Sequence, residues 1–218
     1  MDFSNIKFPN ALFLTGIGTD VGKSFATGWL AREMNNSGLN CITQKMIQTG
    51  NTEWSEDIQR HRKIMGIDLQ TVDLCHITAP IIFSYPASPH LAAKLDEKEI
   101  NLDIISEASK TLLSKYDYLI IEGAGGLMVP LKEDYLTIDY ISDRNLPVVL
   151  TVTGHLGSIN HALLSLSALK SYGLSLFAII YNPFFDKDET ICADTRNYLK
   201  NRMHKHFPDS IWLDMPVL

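Results

Sequence analysis

The 218-residue sequence has little of several features that mark particular protein classes. Its three cysteines, Cys41, Cys75 and Cys192, are far apart and form no Cys-x-x-Cys pair, so we expect reduced thiols and neither a disulfide framework nor a zinc site. The net charge of -6 lacks the basic excess of a surface that tracks nucleic acid. Nowhere do about eighteen apolar residues run together, and residues 1–10 show no secretory pattern. We therefore expect no nucleic-acid partner, no membrane span and a cytoplasmic location.

The composition that is present suits a folded core, with 45% hydrophobic and 20% charged residues. We expect a single domain over residues 1–218, because no repeat, linker or low-complexity tract interrupts the chain. Short apolar segments alternate with helical patterns, which is typical of an α/β fold: a three-layer, mostly parallel sheet with crossover helices. The predicted strands cover residues 11–15, 40–45, 117–122, 146–153 and 174–181, and the predicted helices cover 23–36, 55–65, 102–113, 138–143, 158–171 and 189–206.

A glycine-rich loop connects the first predicted strand to the first predicted helix. It reads Gly16-Ile17-Gly18-Thr19-Asp20-Val21-Gly22-Lys23-Ser24 and is followed by Phe25. Glycines allow backbone N–H groups to face phosphate oxygens, the helix adds its positive dipole end, Lys23 supplies a cation and Ser24 a hydroxyl for Mg²⁺. The strict pattern expects glycine where Ile17 stands, so the loop is a variant. It predicts a P-loop NTPase fold that binds a nucleoside triphosphate.

Polar residues also follow two other predicted strands. Glu122 ends one strand and leads into Gly123-Ala124-Gly125-Gly126, so its carboxylate can bind Mg²⁺ while the glycines allow a ligand close approach. Lys45 ends another strand and precedes the turn that contains Thr49. Since ligands of open α/β sheets bind at the carboxyl ends of the strands, we expect these side chains to share one cleft. Asp57, taken alone, is most simply a helix-start residue that favours the dipole.

Together these segments resemble the dethiobiotin synthetase family, whose members use ATP and CO2 to close a ureido ring on 7,8-diaminononanoate. The resemblance spans most of the chain in the family's order. It is carried by residues 15–24, 45–50, 88–90, 122–126 with 130–131, and 156–162.

The resemblance implies a role for each matching residue. Ser24, Asp57 and Glu122 would bind Mg²⁺, Lys23 and the loop amides would hold the phosphates, and Lys45 would act on the carbamate and its phosphorylation. Lys23 and Lys45 are thus the catalytic pair. The implied nucleotide-binding set is Asp20, Val21, Gly22, Lys23, Ser24, Phe25, Asp57, Glu122, Gly123, Ala124, Gly125, Asn182 and Pro183, and the implied substrate-binding set is Thr19, Thr49, Gly157, Asn160 and Tyr198.

The resemblance also implies partners: 7,8-diaminononanoate, CO2 or bicarbonate, ATP, and a second copy of the chain. In a homodimer, Gly157 to Asn160 would offer a helix N-terminus to the substrate carboxylate of the neighbouring subunit, and Tyr198 would reach the same carboxylate. One position departs from the family. Pro183 follows Asn182 where an acidic residue is common, which predicts fewer directed contacts to the nucleotide base.

Two alternatives share this fold class. A P-loop switch ATPase of the partitioning or division-site type would use the basic segment 198–207 as a membrane or DNA contact, but such proteins usually carry an extra lysine early in the loop, and positions 16–21 have none. A glutamine-dependent cobyrinate-type amidotransferase would need a glutaminase domain for which we expect no room. The histidines His61, His76, His155, His204 and His206 lack metal-like spacing, so we expect surface or core histidines.

Overall fold

A computed structural model describes residues 3–218 and shows strands alternating with helices along the chain. A short 3-10 turn, Phe3–Asn5, precedes the first strand, and another, Pro183–Phe185, follows the ninth. The strands are β1 Ala11–Gly16, β2 Cys41–Lys45, β3 Gln48–Thr49, β4 Ile82–Phe83, β5 Tyr118–Glu122, β6 Pro130–Lys132, β7 Tyr135–Leu136, β8 Val148–Thr153, β9 Leu176–Asn182 and β10 Ile211–Asp214. The helices are α1 Lys23–Asn36, α2 Glu56–Met65, α3 Thr71–Leu74, α4 Pro89–Leu95, α5 Leu102–Leu113, α6 Thr137–Asp143, α7 Ser158–Ser171 and α8 Glu189–His206.

Six of the strands form one sheet in the order β10-β9-β8-β1-β5-β2, and every neighbouring pair is parallel. Strand β1 lies inside the sheet, so the loop that follows it emerges between β8 and β5. In the register of the sheet, Glu122 lies opposite Leu14 on one side and opposite Lys45 on the other. The carboxyl ends of β1, β5 and β2 therefore meet at one edge, as the sequence predicted.

Apolar side chains alternate between the two faces of the sheet. Leu12 and Leu14 pack with α1, whereas Phe13 packs on the opposite face with the helices α4 to α8. Each side chain of this kind, once buried, contributes about 1.5–3 kcal/mol relative to exposure. The predicted three-layer, parallel architecture is confirmed, because both faces of the sheet are covered by helices.

Several element boundaries differ from the prediction. The strand predicted from residue 174 begins at Leu176, because the N–H of Leu174 bonds the carbonyl of Leu169 and closes the end of α7 after Gly173, whose φ is +65°. The strand predicted from residue 146 begins at Val148, after Pro147, which has no N–H to donate. Helix α2 begins at Glu56, because Ser55 is its N-cap and accepts from the Ile58 N–H at 3.2 Å.

Seven short elements were not predicted: β3, β4, β6, β7, β10, α3 and α4. Each has two to seven residues, too few for a clear periodicity. Along residues 3–218, no helix is long and apolar enough to cross a membrane.

Candidate active site

The loop after β1 has the backbone of a phosphate-binding turn. Asp20 and Gly22 adopt left-handed conformations, with φ of +57° and +86°. Gly22 also has no room for a Cβ, which would collide with the side-chain amide of Asn182. No side chain in the described chain caps the start of α1 at Gly22, so the first N–H groups of this helix are available to an anion.

Lys23, the first residue of α1, lies over this loop and donates from Nζ to the carbonyl of Gly18 at 2.8 Å. Burial and the nearby Lys45 ammonium together lower its pKa to about 8, against the raising effect of nearby carboxylates. Among the described residues the Gly18 carbonyl is its one hydrogen-bond acceptor, and a buried cation with a neutral acceptor favours an anionic ligand.

Four side chains from four elements meet beside this lysine. Lys45 of β2 places Nζ 2.7 Å from Asp57 Oδ2 and 2.8 Å from Glu122 Oε1, and it donates to the carbonyl of Gly123 at 3.2 Å. The Ser24 hydroxyl lies 2.6 Å from Asp57 Oδ1 and 3.0 Å from Glu122 Oε1. We call these four residues, Ser24, Lys45, Asp57 and Glu122, the Lys45 cluster.

The charges of this cluster stabilise one another. Burial by itself would raise the pKa of Glu122, but the Lys45 ammonium and His61 outweigh burial and hold that pKa well below its ordinary value. Burial would likewise lower the pKa of Lys45, yet Glu122 and Asp57 raise it above its ordinary value. Both groups are therefore charged near neutral pH, in a place where a cation or anion of a ligand would interact strongly.

The oxygen atoms of Ser24, Asp57 and Glu122 suit Mg²⁺, which prefers hard oxygen ligands. One hydroxyl within hydrogen-bond distance of two carboxylates is too small a set for a complete protein cage. Magnesium is usually bound by one or two carboxylates together with substrate phosphates, so these residues fit a metal that arrives with a nucleotide.

His61 belongs to this site, although its sequence context did not single it out. Its ring is fully buried, with Nε2 2.7 Å from Glu122 Oε2 and Nδ1 3.0 Å from the Thr43 hydroxyl. The sequence predicted a surface or core histidine, and the structure places His61 in the core, but its contact with Glu122 was missed. A signal was present, because positions 57 and 61 lie four residues apart and share one face of a helix.

A cavity of about 680 Å³ opens beside the Lys45 cluster and the loop. Of the residues that the sequence singled out, it brings together Thr19, Asp20, Gly22, Lys23, Ser24, Phe25, Lys45, Thr49, Asp57, Glu122, Ala124, Gly125 and Asn182.

Six other predicted site residues do not line this cavity within the described chain. Val21, Gly123 and Pro183 adjoin lining residues in sequence. Gly157, Asn160 and Tyr198 lie on α7 or α8 or just before them, and Tyr198 is exposed to solvent.

The end of the cavity away from Lys45 is mostly apolar. Phe184, Phe185, Met215 and Leu218 line it together with the amide of Asn182. That amide is already engaged: Nδ2 donates to the Val21 carbonyl at 3.0 Å, and Oδ1 accepts from the Phe184 N–H at 3.1 Å. Asn182 thus ties this end of the cavity to the phosphate-binding loop.

Solved structures share this fold at low sequence identity. Signal recognition particle 54 kDa protein from Aeropyrum pernix K1, in complex with GDP, matches with a TM-score of 0.59 and 15% identity, covering 99% of this chain and 44% of that one. A ParA family ATPase from Chlorobium tepidum TLS matches with a TM-score of 0.52 and 16% identity, covering 95% and 84%. These likenesses show the P-loop NTPase fold and no more.

Sequence comparison gives closer relatives. An AAA domain family matches residues 10–207. The ATP-dependent dethiobiotin synthetase BioD 2 of Pasteurella multocida is 46% identical over 94% of this chain and 97% of its own length. The ATP-dependent dethiobiotin synthetase BioD of Chlorobaculum tepidum is 45% identical over 89% of this chain and 82% of its own. The site agrees with this similarity, because a lysine that contacts two carboxylates lies beside the phosphate-binding loop. With such identity over nearly whole chains, the chain belongs to the ATP-dependent dethiobiotin synthetase family.

Proposed function

We propose that this chain closes the ureido ring of dethiobiotin from 7,8-diaminononanoate and CO2 at the expense of ATP. The observation that carries the proposal is the Lys45 cluster itself: a buried lysine between two carboxylates, beside the P-loop hydroxyl, at the wall of one cavity. The relatives named ATP-dependent dethiobiotin synthetase support the same reaction.

The reaction has three steps. One amine of the substrate adds to CO2 and loses a proton, which gives a carbamate. A carbamate oxygen then takes the γ-phosphoryl group of ATP and releases ADP, which gives a carbamic-phosphoric anhydride. The second amine attacks the carbonyl carbon, the C–O bond to phosphate breaks, and the ring closes with release of inorganic phosphate and a proton.

Negative charge accumulates at each step, so cations and N–H donors are the groups that the reaction needs from the protein. Lys23 and the amides at the start of α1 hold the triphosphate. Lys45 orients the carbamate oxygen toward the γ-phosphate and stabilises the charge that develops between them. Phosphoryl transfer depends mainly on such positioning, so no protein nucleophile is required.

We propose Ser24, Asp57 and Glu122 as the residues that hold Mg²⁺ when the nucleotide binds. The ion would neutralise charge on the phosphate oxygens and orient the triphosphate. Asp57 and Glu122 both line the cavity and contact Lys45, and the Lys45 ammonium holds the pKa of Glu122 well below its ordinary value.

A homodimer would complete the substrate site. Helix α7 begins after Gly157, whose φ is +93°, and it is fourteen residues long with no side-chain cap among the described residues. Asn160 is exposed in its first turn, and Leu156, just before the helix, is 78% exposed. The substrate carboxylate of a neighbouring subunit would accept hydrogen bonds from the N–H groups of this turn.

We therefore expect Asn160→Ala to raise the KM for the diamine about tenfold and to leave the KM for ATP unchanged. A fully active enzyme that sediments as a monomer would contradict the dimer.

Base recognition would be weak, because the described side chains at the apolar end of the cavity are Phe184, Phe185, Met215 and Leu218 beside the partly engaged amide of Asn182. A wrong base then leaves few polar groups unpaired. We expect GTP and CTP to support the reaction within roughly one to two powers of ten of ATP, or about 1.4–2.8 kcal/mol. The kcat/KM values of the four nucleoside triphosphates measure this, and an ATP preference beyond about a thousandfold would contradict it.

The decisive experiment incubates the purified protein with 7,8-diaminononanoate, bicarbonate, Mg²⁺ and ATP and detects dethiobiotin by mass spectrometry. The formation of dethiobiotin and the release of phosphate should both require the diamine. ATP hydrolysis at the same rate with and without the diamine would instead favour the switch-ATPase alternative, whose structural support is a fold likeness at 16% identity.

The free thiols of Cys41, Cys75 and Cys192 suit the cytoplasmic location that we propose for this reaction.

A further inference from the structure

We propose that His61 is a positioning residue that holds Glu122 in its working orientation through the contact of its Nε2 with the carboxylate, and that Thr43 and Arg62 hold the His61 ring in turn. This inference rests on the proposed function, in which Glu122 binds the nucleotide's metal. It assigns a task to a buried side chain that the reaction itself does not use.

The burial and geometry of His61 set it apart from the other histidines. Its ring is fully buried within α2 and makes two short contacts, one to Glu122 on β5 and one to Thr43 on β2. The carboxylate of Glu122 is thereby divided. Oε2 faces His61, whereas Oε1 faces Lys45 and Ser24 at the cavity. A rotation of the carboxylate would break both sets of contacts.

The contacts of the two ring nitrogens define how His61 is held. Arg62 Nη1 donates to the Thr43 hydroxyl oxygen at 2.8 Å, and this hydroxyl lies 3.0 Å from His61 Nδ1. Since the Glu122 carboxylate can only accept, His61 Nε2 carries the proton that it donates to Glu122 at 2.7 Å.

The orientation of the Arg62 guanidinium toward Thr43 is fixed by a bidentate ion pair with Asp73. Its Nε and Nη2 donate to the two oxygens of Asp73, each at 2.8 Å. Asp73 also accepts from the Thr78 hydroxyl at 2.6 Å and from the Gln70 N–H at 2.7 Å. The third nitrogen of the guanidinium is thus aimed at Thr43, which keeps the Thr43 hydroxyl beside His61 Nδ1.

The contact at Oε2 has a specific consequence for the proposed metal site. It fixes the plane of the Glu122 carboxylate and leaves Oε1 directed toward Ser24 and Lys45 at the cavity. Removing a hydrogen-bond partner of a metal ligand typically lowers metal affinity or activity by about 10–100-fold.

The test compares two replacements of His61. His61→Leu keeps an apolar volume and removes the donor, whereas His61→Gln retains an amide N–H that can reach Glu122. Binding of Mn²⁺ in the presence of ADP, followed by electron paramagnetic resonance, reports on the site without the ring-closing reaction. We expect His61→Leu to weaken Mn²⁺ binding about 10–100-fold and His61→Gln to recover most of that loss.

Two further variants separate positioning from stability. Leu112→Ala truncates a fully buried residue of α5 that packs on the sheet face opposite α1, so it lowers the melting temperature and should leave Mn²⁺ affinity unchanged. Thr43→Val removes the hydroxyl that orients the imidazole, and we expect it to weaken Mn²⁺ binding several-fold. Binding of ADP in EDTA should be the same in all four variants.

Three results would overturn the inference: folded His61→Leu with Mn²⁺ affinity within twofold of the wild type, equal losses in the leucine and glutamine variants, or an equal loss in Leu112→Ala. If Thr43→Val left the Mn²⁺ affinity unchanged, Thr43 and Arg62 would have no part in positioning His61. If the wild type made no dethiobiotin, the proposed function would fail on its own, while the Mn²⁺ titrations would still judge His61.

Discussion

Two groups of buried charges lie side by side along β2, and they differ in what they face. The Lys45 cluster lines the cavity, whereas Arg62 with Asp73, Thr43 and Thr78, here called the Arg62 cluster, does not line it. Both join a cation to carboxylates at 2.7–2.8 Å. Burial and ion pairing alone therefore do not identify a functional site. The difference lies in whether a ligand can reach the charges.

The two clusters also differ in how their acceptors are used. The side chains of Arg62 and Asp73 are each only 2% exposed, and three nitrogens of the guanidinium have their own acceptors. In the Lys45 cluster, Glu122 Oε1 accepts from both the ammonium and Ser24, whereas Asp57 gives one oxygen to each of them. Shared acceptors can pass from one donor or cation to another. The Arg62 cluster suits stability, and the Lys45 cluster suits exchange of ligands.

The largest effect is expected from breaking the Arg62 cluster. Arg62→Met leaves the Asp73 carboxylate buried without its partner, which should lower the free energy of unfolding by about 3–5 kcal/mol in urea titrations. Arg32→Met is the matched control, because Arg32 pairs with Glu33 at a partly exposed position and should cost less than about 1 kcal/mol. Equal losses in the two variants would mean that the Arg62 cluster contributes no special stability.

Breaking the Lys45 cluster should affect the reaction more than the fold. Lys45→Gln removes one preorganised charge from the site of phosphoryl transfer, so kcat should fall by about 10² to 10³ in steady-state assays. Its loss of stability should be smaller than that of Arg62→Met, since water from the cavity can solvate Asp57. Lys110→Gln, at an exposed ion pair with Glu107, should leave kcat unchanged. Near-normal turnover by Lys45→Gln would remove this lysine from the mechanism.

The expected pH dependence of activity from Lys23 is a further contrast with Arg62, whose guanidinium nitrogens all have acceptors. Burial, reinforced by the Lys45 ammonium, lowers the pKa of Lys23 to about 8, so the free enzyme loses this cation as the pH rises through 8. The kcat/KM for ATP should then fall by about tenfold per pH unit above 8. Lys23→Arg stays charged and should lack this decline in a profile from pH 7 to 10. A wild-type profile that is flat to pH 10 would contradict the assignment.

The smallest effect concerns acid stability. Burial alone would raise the pKa of Asp73, but its hydrogen bonds and ion pair with Arg62 outweigh burial and lower it. Stabilisation from a carboxylate with a lowered folded-state pKa is fully present above the ordinary aspartate pKa and is lost as the pH falls through the folded-state value. The difference in unfolding free energy between the wild type and Asp73→Asn should thus narrow by at least about 1 kcal/mol between pH 7 and pH 3. The exposed control Asp68→Asn should show no such narrowing.

Sequence patterns predicted the larger elements and the phosphate-binding loop well. Helices α1, α5, α7 and α8 have the predicted bounds, and the predictions of a parallel sheet, an ATP-dependent enzyme and the dethiobiotin synthetase family are confirmed. Short elements such as β3 were missed, because two residues carry no periodicity. The roles of the individual site residues, the bound metal and the homodimer stay predictions that the experiments above address.

His61 and Asp57 show where local patterns run out. Each had an ordinary explanation from the sequence: His61 as a surface or core histidine, and Asp57 as a residue near a helix start. Only their contacts with Glu122 and Lys45 give them another meaning, and those partners lie 61 and 12 positions away in the chain. No local propensity encodes such distances.

The sequence by itself determined the alternation of strands and helices and the turn of the phosphate-binding loop, because these follow from side-chain periodicity, glycine conformations and helix starts within a few residues. The tertiary structure decided which strand ends meet. Placing β5 between β1 and β2 brings Glu122 beside Lys45 and below the loop. It also decided which charges are sealed and which face the cavity, since burial depends on elements distant in sequence that pack over them.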